Sequence, residues 1–279
     1  MKIAVLSDVH ANLVALEAVA ADIDAWKPDQ VVVAGDLVNR GPRPRQCLEL
    51  VQEKCARQGW QVLLGNHEEY VLEHWAVEAP RSGPKFETHR PSYWTGCQLD
   101  GGMARLRSMP RQISLESPLG GEIRFTHASM GGIRDGIFRW TPDAALRAKI
   151  SPAPEVLCVG HTHEPLVRWL DGTLVVNAGA AGLPFDEDSR PSYARLVWQK
   201  GAWQAEIVRV AYDRARAERD FYESGYLDEA GPLIRLVHLE LQQARGHLYD
   251  WAVAYQQRAE QGEISIAASV DEYITKLMT

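Results

Sequence analysis

The sequence has little cysteine and no long hydrophobic segment. Four cysteines occur in 279 residues, and no two of them form a CxxC pair: Cys47, Cys55, Cys97 and Cys158. This spacing and density fit neither a zinc site nor a disulfide framework, so we expect reduced, structural thiols. No apolar run approaches the roughly 20 residues that span a bilayer, and the first residues lead directly into a strand-like run instead of a signal peptide. We therefore expect a cytoplasmic protein without a membrane partner.

An excess of basic charge is also missing. Asp and Glu number 37 against 30 Lys and Arg, which gives a formal net charge of −7. Binding to nucleic-acid backbones needs a basic face, so this balance argues against general nucleic-acid binding. The sequence also lacks a G-x-S-x-G elbow and a Cys/His signature, which argues against a covalent enzyme intermediate. A polyanionic substrate would have to be attracted by local charge.

The chain does contain an alternation of short apolar runs with loops and helical stretches. With 46% apolar residues it can fill a sizeable core, as one large α/β domain or two small ones. About eight of the runs have strand character. Asn12 is a plausible N-cap for a helix that continues to Trp26, and residues 46–55 also have helical spacing.

Five of the apolar runs end in residue types that bind metal ions. The residues at these ends are Asp8, His10, Asp36, Asn66, His127, His161 and His163. Residues two apart in an extended chain point to the same side, so the Asp-x-His pair and the His-x-His pair are each expected to project together. The carboxyl ends of successive strands share one edge of a sheet, where α/β proteins usually bind ligands. The sequence therefore predicts a metal centre at that edge.

This inventory divides between two ions. The first predicted set is Asp8, His10 and His163. The second predicted set is Asn66, His127 and His161. Asp36 is predicted to bridge both ions. Mixed nitrogen and oxygen ligands without thiolates fit Mn²⁺, Fe or Zn²⁺ better than Ca²⁺. Two such ions roughly 3.5 to 4 Å apart can hold a bridging hydroxide that attacks phosphorus in line, so we predict a two-metal phosphoester hydrolase.

Two further residues near these ligands are candidates for catalysis. His67 cannot easily reach the ion that Asn66 binds, so it is predicted to protonate the leaving alkoxide, although it could instead only orient a neighbouring group. Arg40 lies four residues after Asp36. Its planar guanidinium is predicted to donate to phosphoryl oxygens, and the alternative is a surface salt bridge.

Two segments depart from the alternation. Residues 70–113 hold several aromatic residues without a clear strand period and form a possible cap insertion, whose aromatics either stack on substrate or pack the segment onto the body. His74 and His89 within it are expected to be ordinary. From residue 212 onward, charged helix-formers with interspersed Leu, Ile and Trp predict helices that pack on the body, form a homodimer contact or act as a lid. We therefore divide the chain into a catalytic domain, 1–211, and a helical extension, 212–279.

The ordered blocks resemble the calcineurin-like metallophosphoesterase family. The matching blocks are Asp8-x-His10, Gly35-Asp36, Gly65-Asn66-His67-Glu68, His127 and Gly160-His161-x-His163. The resemblance implies an α/β fold of four layers, in which two β-sheets are flanked by helices, and the C-terminal helices lie outside it. It also implies the ligand roles given above and His67 as the catalytic histidine.

The substrate is less defined by the resemblance. The GDLVNRGP block is similar to the GDxVDRG block of serine/threonine phosphatases and to that of diadenosine tetraphosphatases, but Asn39 stands where the protein phosphatases carry Asp. The opening and the length are more similar to the bacterial and archaeal phosphodiesterase branch. We predict hydrolysis of small-molecule or nucleotide phosphoesters, with a diadenosine tetraphosphatase or a protein phosphatase as alternatives. A different alternative is an inactive metal-binding scaffold.

Overall fold

The computed structural model describes residues 1–278, which contain ten strands. The strands are β1 (Lys2–Leu6), β2 (Gln30–Val33), β3 (Gln61–Val62), β4 (Gln112–Glu116), β5 (Glu122–Thr126), β6 (Val156–Val159), β7 (Pro165–Leu170), β8 (Thr173–Ala178), β9 (Ser192–Gln199) and β10 (Ala202–Arg209). The helices before residue 212 are α1 (Leu13–Trp26), α2 (Pro44–Gln58), α3 (Asn66–Trp75), α4 (Pro84–Gln98), α5 (Met103–Arg107) and α6 (Asp143–Lys149).

The strands form two five-stranded sheets that pack face to face. One sheet has the order β10-β9-β1-β2-β3 and the other β4-β5-β6-β8-β7. Strands β1, β2 and β3 run parallel, as do β5, β6 and β8. Ile3 and Val5 of the first sheet share one buried cluster with Phe125, Cys158 and Val176 of the second. The predicted fold of two sheets flanked by helices is therefore confirmed.

Helix α1 begins and ends where the sequence predicts. The Asn12 side chain caps it by accepting a hydrogen bond from the Ala15 N–H, 3.2 Å away. Its buried face, which includes Leu16, Val19 and Ile23, packs against the outer side of the first sheet. This packing fixes the loop between β1 and α1, in which two of the predicted metal ligands lie.

The sequence predicts about eight strands, and the structure has two more. Strand β4 is short and pairs antiparallel with β5, while β7 pairs antiparallel with β8 at the edge of the second sheet. Only Asp171 and Gly172 separate β7 from β8, and both have positive φ, 50° and 88°. An Asp-Gly pair between two apolar runs is a strong hairpin signal, so this strand could have been predicted.

Three aromatic residues of segment 70–113 pack with one another, whereas Trp94 packs on Tyr226 and Tyr70 on His67. Tyr93 of α4 contacts the rings of Trp75 and Phe86, with centroid separations of 5.5 Å in both cases, and the Arg81 guanidinium lies 4.6 Å from its centroid. The segment is helical rather than irregular, and α4 packs against α3 and against helices near the C-terminus.

The region after residue 212 is helical, as predicted. It consists of α7 (Arg214–Glu223), α8 (Tyr226–Glu229), α9 (Ile234–Gln243), α10 (Leu248–Trp251), a π-helical turn (Ala252–Gln256), α11 (Gln257–Glu260) and α12 (Ile266–Leu277). Two buried apolar clusters hold these helices together, and one of them includes Trp94 of α4 and Leu183 of the β8–β9 loop. No helix among the described residues is long and apolar enough to span a bilayer. A homodimer through these helices stays a prediction.

Candidate metal centre

The predicted ligands lie just beyond the carboxyl ends of parallel strands in both sheets, in loops or, for Asn66, at the start of α3. Five of the seven do not have an extended backbone: φ is 55° at Asp8, 48° at His10, 54° at Asp36, 71° at His161 and 58° at His163. Side chains are costly in this left-handed region, and such residues cluster where function requires a fixed geometry. Asp8 and His10 do project together, as expected, but the expected extended backbone is wrong, since turns orient these side chains.

The first group of converging side chains consists of Asp8, His10, Asp36 and His163. Each offers one ligand atom, and these atoms all lie within 4.8 Å of one another. The Nε2 atoms of His10 and His163 are 3.1 Å apart, and Asp8 Oδ1 lies 3.4 Å from His163 Nε2. All four residues are buried. The group has the size and composition of a cation site.

The second group consists of Asp36, His127 and His161, with one ligand atom from each again within 4.8 Å of the others. Asn66 joins them, because its Oδ1 lies 2.9 Å from His127 Nε2 and 2.8 Å from His161 Nδ1. Asp36 Oδ2 is 3.2 Å from His127 Nε2 and 3.7 Å from His10 Nε2. Asp36 is thus the residue that the two groups share.

Hydrogen bonds to backbone carbonyls orient three of the histidine rings. The Nδ1 atoms of His10, His127 and His163 face the carbonyl oxygens of Asn39, Ala34 and Leu183 at 3.3, 2.8 and 2.5 Å. A carbonyl oxygen only accepts, so each Nδ1 carries a proton, and Nε2 is the nitrogen of each ring that faces the centre.

The donor set therefore fits divalent cations. Lone pairs face one another at His10 and His163, and Asp8 Oδ1 is buried with no hydrogen-bond partner among the described residues. Unpaired buried acceptors are costly unless a cation satisfies them. Neutral imidazoles, carboxylates and an amide oxygen without thiolates are the ligands of Mn²⁺, Fe and Zn²⁺ sites.

The charges in the site favour neutral rings at His10 and His161 and an imidazolium at His127, next to an ionised Asp36. Burial lowers the pKa of His10 well below its usual value, with further lowering from His163 and His67, and burial lowers the pKa of His161 to about 4. Burial alone would raise the pKa of Asp36, but His127 and His67 lower it well below its ordinary range. The pKa of His127 rises to about 10 because the carboxylate of Asp36 outweighs the effect of burial.

Glu68 was not assigned a role from the sequence, yet it shapes the site. It is fully buried and accepts hydrogen bonds from the N–H groups of Asp36 at 2.9 Å, Val38 at 3.0 Å and Gly65 at 2.8 Å. Gly65 lies so close to Asp36 that a Cβ atom there would be 2.1 Å from Asp36 Oδ1. Glu68 and Gly65 together fix the position of the Asp36 carboxylate. Both belong to the GNHE block, which is the sequence feature from which their role could have been predicted.

His67 lies next to the ligands without joining either group. Its ring contacts His10 edge-on at a centroid distance of 4.8 Å, and its Nδ1 lies 2.9 Å from Asn39 Nδ2. The Asn39 amide is held in turn by the hydroxyls of Ser92 at 3.0 Å and Thr95 at 3.3 Å, both on α4. Helix α4 of segment 70–113 thus reaches the site through Asn39.

Arg40 is adjacent to these groups in space as well as in sequence. Its positive charge acts on His67, His161 and His163, where it lowers the pKa values together with burial. No hydrogen bond or ion pair to its guanidinium occurs within residues 1–278, so the predicted alternative of a salt bridge is not formed there. His74 and His89 stack on each other instead, with centroids 3.8 Å apart, and belong to neither ligand group.

With this geometry established, comparison with known proteins identifies the family. The sequence model of the calcineurin-like phosphoesterase superfamily domain matches residues 1–201. The chain is similar to an uncharacterized protein of Methanocaldococcus jannaschii, with 28% identity over 234 residues that cover 77% of this chain and 89% of that protein.

One solved structure supports the same assignment, and a second shares the fold. A metallophosphoesterase from Sphaerobacter thermophilus is 28% identical, with a TM-score of 0.68, and the match covers 88% of this chain and all 100% of that one. A hypothetical protein from Pyrococcus horikoshii has the same fold, with a TM-score of 0.71 at 20% identity, over 84% of this chain and 97% of that one. This chain therefore belongs to the calcineurin-like phosphoesterase superfamily and is a metal-dependent phosphoric ester hydrolase.

Proposed function

We propose that the protein hydrolyses phosphoesters at a centre of two divalent ions, with Asp36 as the bridging ligand. The observation that carries this proposal is that Asp36 belongs to both groups of converging ligand atoms. Bound ions would supply a water of lowered pKa and positive charge for the phosphoryl oxygens. The first site would be completed by Asp8, His10 and His163, and the second by Asn66, His127 and His161.

The residues around the centre supply the remaining functions. Arg40 has an unpaired guanidinium beside the ligand groups, which suits binding of phosphoryl oxygens. His67 is oriented by Asn39 and contacts His10, so its other nitrogen is free to donate to the leaving oxygen. All predicted ligands and His67 are present and close together, which favours an active enzyme over an inactive scaffold.

The loop after β5 favours a substrate that carries a planar ring. A Cβ at Gly136 would lie 3.3 Å from His161 Cδ2 and 3.1 Å from Phe138 Cε2, so this loop borders the second ion site. Phe138 stacks on Trp140 with centroids 4.9 Å apart, and the Arg139 guanidinium is 5.7 Å from the Trp140 ring. Trp140 is 60% exposed. An exposed aromatic flanked by a cation is suited to stacking on a nucleobase.

Removal of the bridging carboxylate tests the hydrolase proposal. With Mn²⁺ added, we expect the wild type to hydrolyse at least one of p-nitrophenyl phosphate, bis-p-nitrophenyl phosphate and diadenosine tetraphosphate. Asp36→Asn should lose this turnover, because the amide cannot bridge two cations. Asp171→Asn, at an exposed ion pair with Arg147, is the matched control and should retain turnover. Equal turnover in Asp36→Asn and wild type would refute the proposal.

Substitution of the exposed tryptophan tests the substrate class. Trp140→Ala should raise the KM for diadenosine tetraphosphate by about tenfold, since base stacking contributes roughly 1–3 kcal/mol. The KM for β-glycerophosphate, which has no ring, should not change. Trp169→Ala, on β7 and similarly exposed at 55%, is the control. An unchanged KM for the dinucleotide would remove the argument for ring recognition.

The role of His67 can be separated from metal binding. His67→Ala should keep its metal content but slow hydrolysis of esters with poor leaving groups by about 10²-fold or more, as expected for loss of a general acid. The loss should be smaller for p-nitrophenyl esters, whose leaving group needs no proton. His74→Ala, remote from both ligand groups, serves as the control. Unchanged turnover on an ester of an aliphatic alcohol would show that His67 is not the acid.

A further inference from the structure

The ring of Tyr70 lies against the histidine proposed as the general acid. Tyr70 belongs to α3, and its ring contacts the His67 ring edge-on at a centroid distance of 5.3 Å. His67 is buried, whereas Tyr70 is partly exposed, so a ligand can reach the tyrosine from solvent. Because His67 is proposed to donate to the leaving oxygen, the part of the substrate that departs with that oxygen would lie beside Tyr70.

The side chain of Arg134 covers this tyrosine. Its guanidinium carbon is 4.8 Å from the centroid of the Tyr70 ring, and its Nε donates to Tyr70 Oη at 3.2 Å. A guanidinium only donates, so the tyrosine oxygen accepts here and its own O–H is free to donate. This is the only hydrogen bond of the Arg134 side chain within residues 1–278, and the side chain is 49% exposed. Most of its N–H groups are therefore available to a ligand.

The backbone of the same loop ties Arg134 to the second ion site. The carbonyl oxygen of Arg134 accepts a hydrogen bond from the His161 ring. Two residues further on, a Cβ at Gly136 would lie 3.3 Å from His161 Cδ2. The loop after β5 thus contacts a predicted ligand, and its arginine extends from there to the tyrosine beside His67. Arg134 is held at the edge of the centre from both sides.

Positive charge exceeds negative charge at this edge. Glu69 is shared by two arginines: its Oε2 lies 3.2 Å from Arg134 Nη2, and its Oε1 accepts from Arg111. An open groove of about 620 Å³ continues from here over an apolar floor, and its charged lining residues are Arg107, Arg111, Arg134, Glu69 and Glu73. Three cations against two carboxylates, in a chain with a net charge of −7, suit an anionic group of the substrate.

We propose that Tyr70 and Arg134 form a second phosphate subsite, which binds the phosphate next to the scissile one on the leaving part of the substrate. This inference rests on the proposed hydrolase function and narrows its substrate class. Arg40 and the ions would hold the scissile phosphoryl group, while the Tyr70 hydroxyl and the free N–H groups of Arg134 donate to its neighbour. The preferred substrate is then a phosphoric anhydride such as a dinucleoside polyphosphate, rather than a simple monoester.

Two phosphonates test the subsite in the full-length, Mn²⁺-loaded protein. Methylphosphonate offers one phosphate-like group and methylenebisphosphonate offers two neighbouring ones, and their P–C bonds resist hydrolysis. At a fixed concentration of free Mn²⁺, the wild type should bind the bisphosphonate at least tenfold more tightly. Arg134→Gln should reduce this ratio of dissociation constants about tenfold, the range for charge-assisted hydrogen bonds. Tyr70→Phe, which keeps the ring contact with His67, should reduce it in the same direction.

Arg147→Gln is the matched control. Arg147 is an arginine of similar exposure, 51%, in an ion pair with Asp171 outside both ligand groups. This variant should keep the wild-type dissociation constants for both phosphonates. Propane-1,3-bisphosphonate is the control for spacing, because its two groups are further apart. We expect Arg134→Gln to weaken its binding less than that of methylenebisphosphonate, and the opposite order would contradict the assignment to anhydrides and indicate bisphosphate esters.

Three results would overturn the subsite itself. The ratio of dissociation constants could be the same in Arg134→Gln as in the wild type, or the wild type could bind neither phosphonate. Arg134→Gln could also weaken both ligands equally, which would assign Arg134 to holding the Tyr70 and His67 rings in place. Failure of the hydrolase function is distinguishable, because it would appear as absent wild-type turnover in the comparison with Asp36→Asn, whereas the dissociation constants need no turnover.

Discussion

The position of the Asp36 carboxylate is the constraint on which the rest of the site depends. Its backbone N–H donates to Glu68, and its Oδ1 accepts from the His67 N–H at 2.9 Å. Its backbone has a left-handed φ of 54°. These bonds place one charged group between two sets of imidazole lone pairs. A displaced Asp36 would leave both sets incomplete, which is why the GD and GNHE loops pack so closely.

Asp36 can hold this position because the two sheets face each other across a buried apolar core. Strands β1 and β2 of one sheet and β5 and β6 of the other end on the same side of the molecule, and the loops that follow them meet there. The backbone carbonyl groups of Ala34, Asn39 and Leu183 then orient the rings. Ligand geometry is therefore a consequence of loop packing at a sheet edge rather than of any single motif.

Much of this could be predicted from the sequence, but the local geometry could not. Apolar runs that end in Asp, Asn or His identified both the strands and the side chains that converge. The orientation of Asp8 with His10 was inferred from an extended chain, and the structure shows turns instead, because left-handed residues leave no periodic pattern. Residues from distant segments that contact the ligands, such as Phe185 on the His163 ring, were not associated with the site, since only tertiary packing brings them there.

The same limitation applies to the two segments outside the strand pattern. Helix α4 reaches the centre through Asn39, and the C-terminal helices reach it through Leu183 and Phe185. In both cases one residue lies between the helix and a predicted ligand. Composition alone cannot reveal such an indirect contact. The predicted ligands thus lie in short segments of the superfamily domain, and the helices outside the strand pattern pack behind them.

Anomalous diffraction from crystals grown with Mn²⁺ would locate the proposed ions. We expect two peaks separated by roughly 3.5 to 4 Å, as in other two-metal centres, with the Asp36 carboxylate between them. The ligands of one ion should be Asp8, His10 and His163, and those of the other Asn66, His127 and His161. A single peak, or two peaks of which only one contacts Asp36, would contradict the proposal.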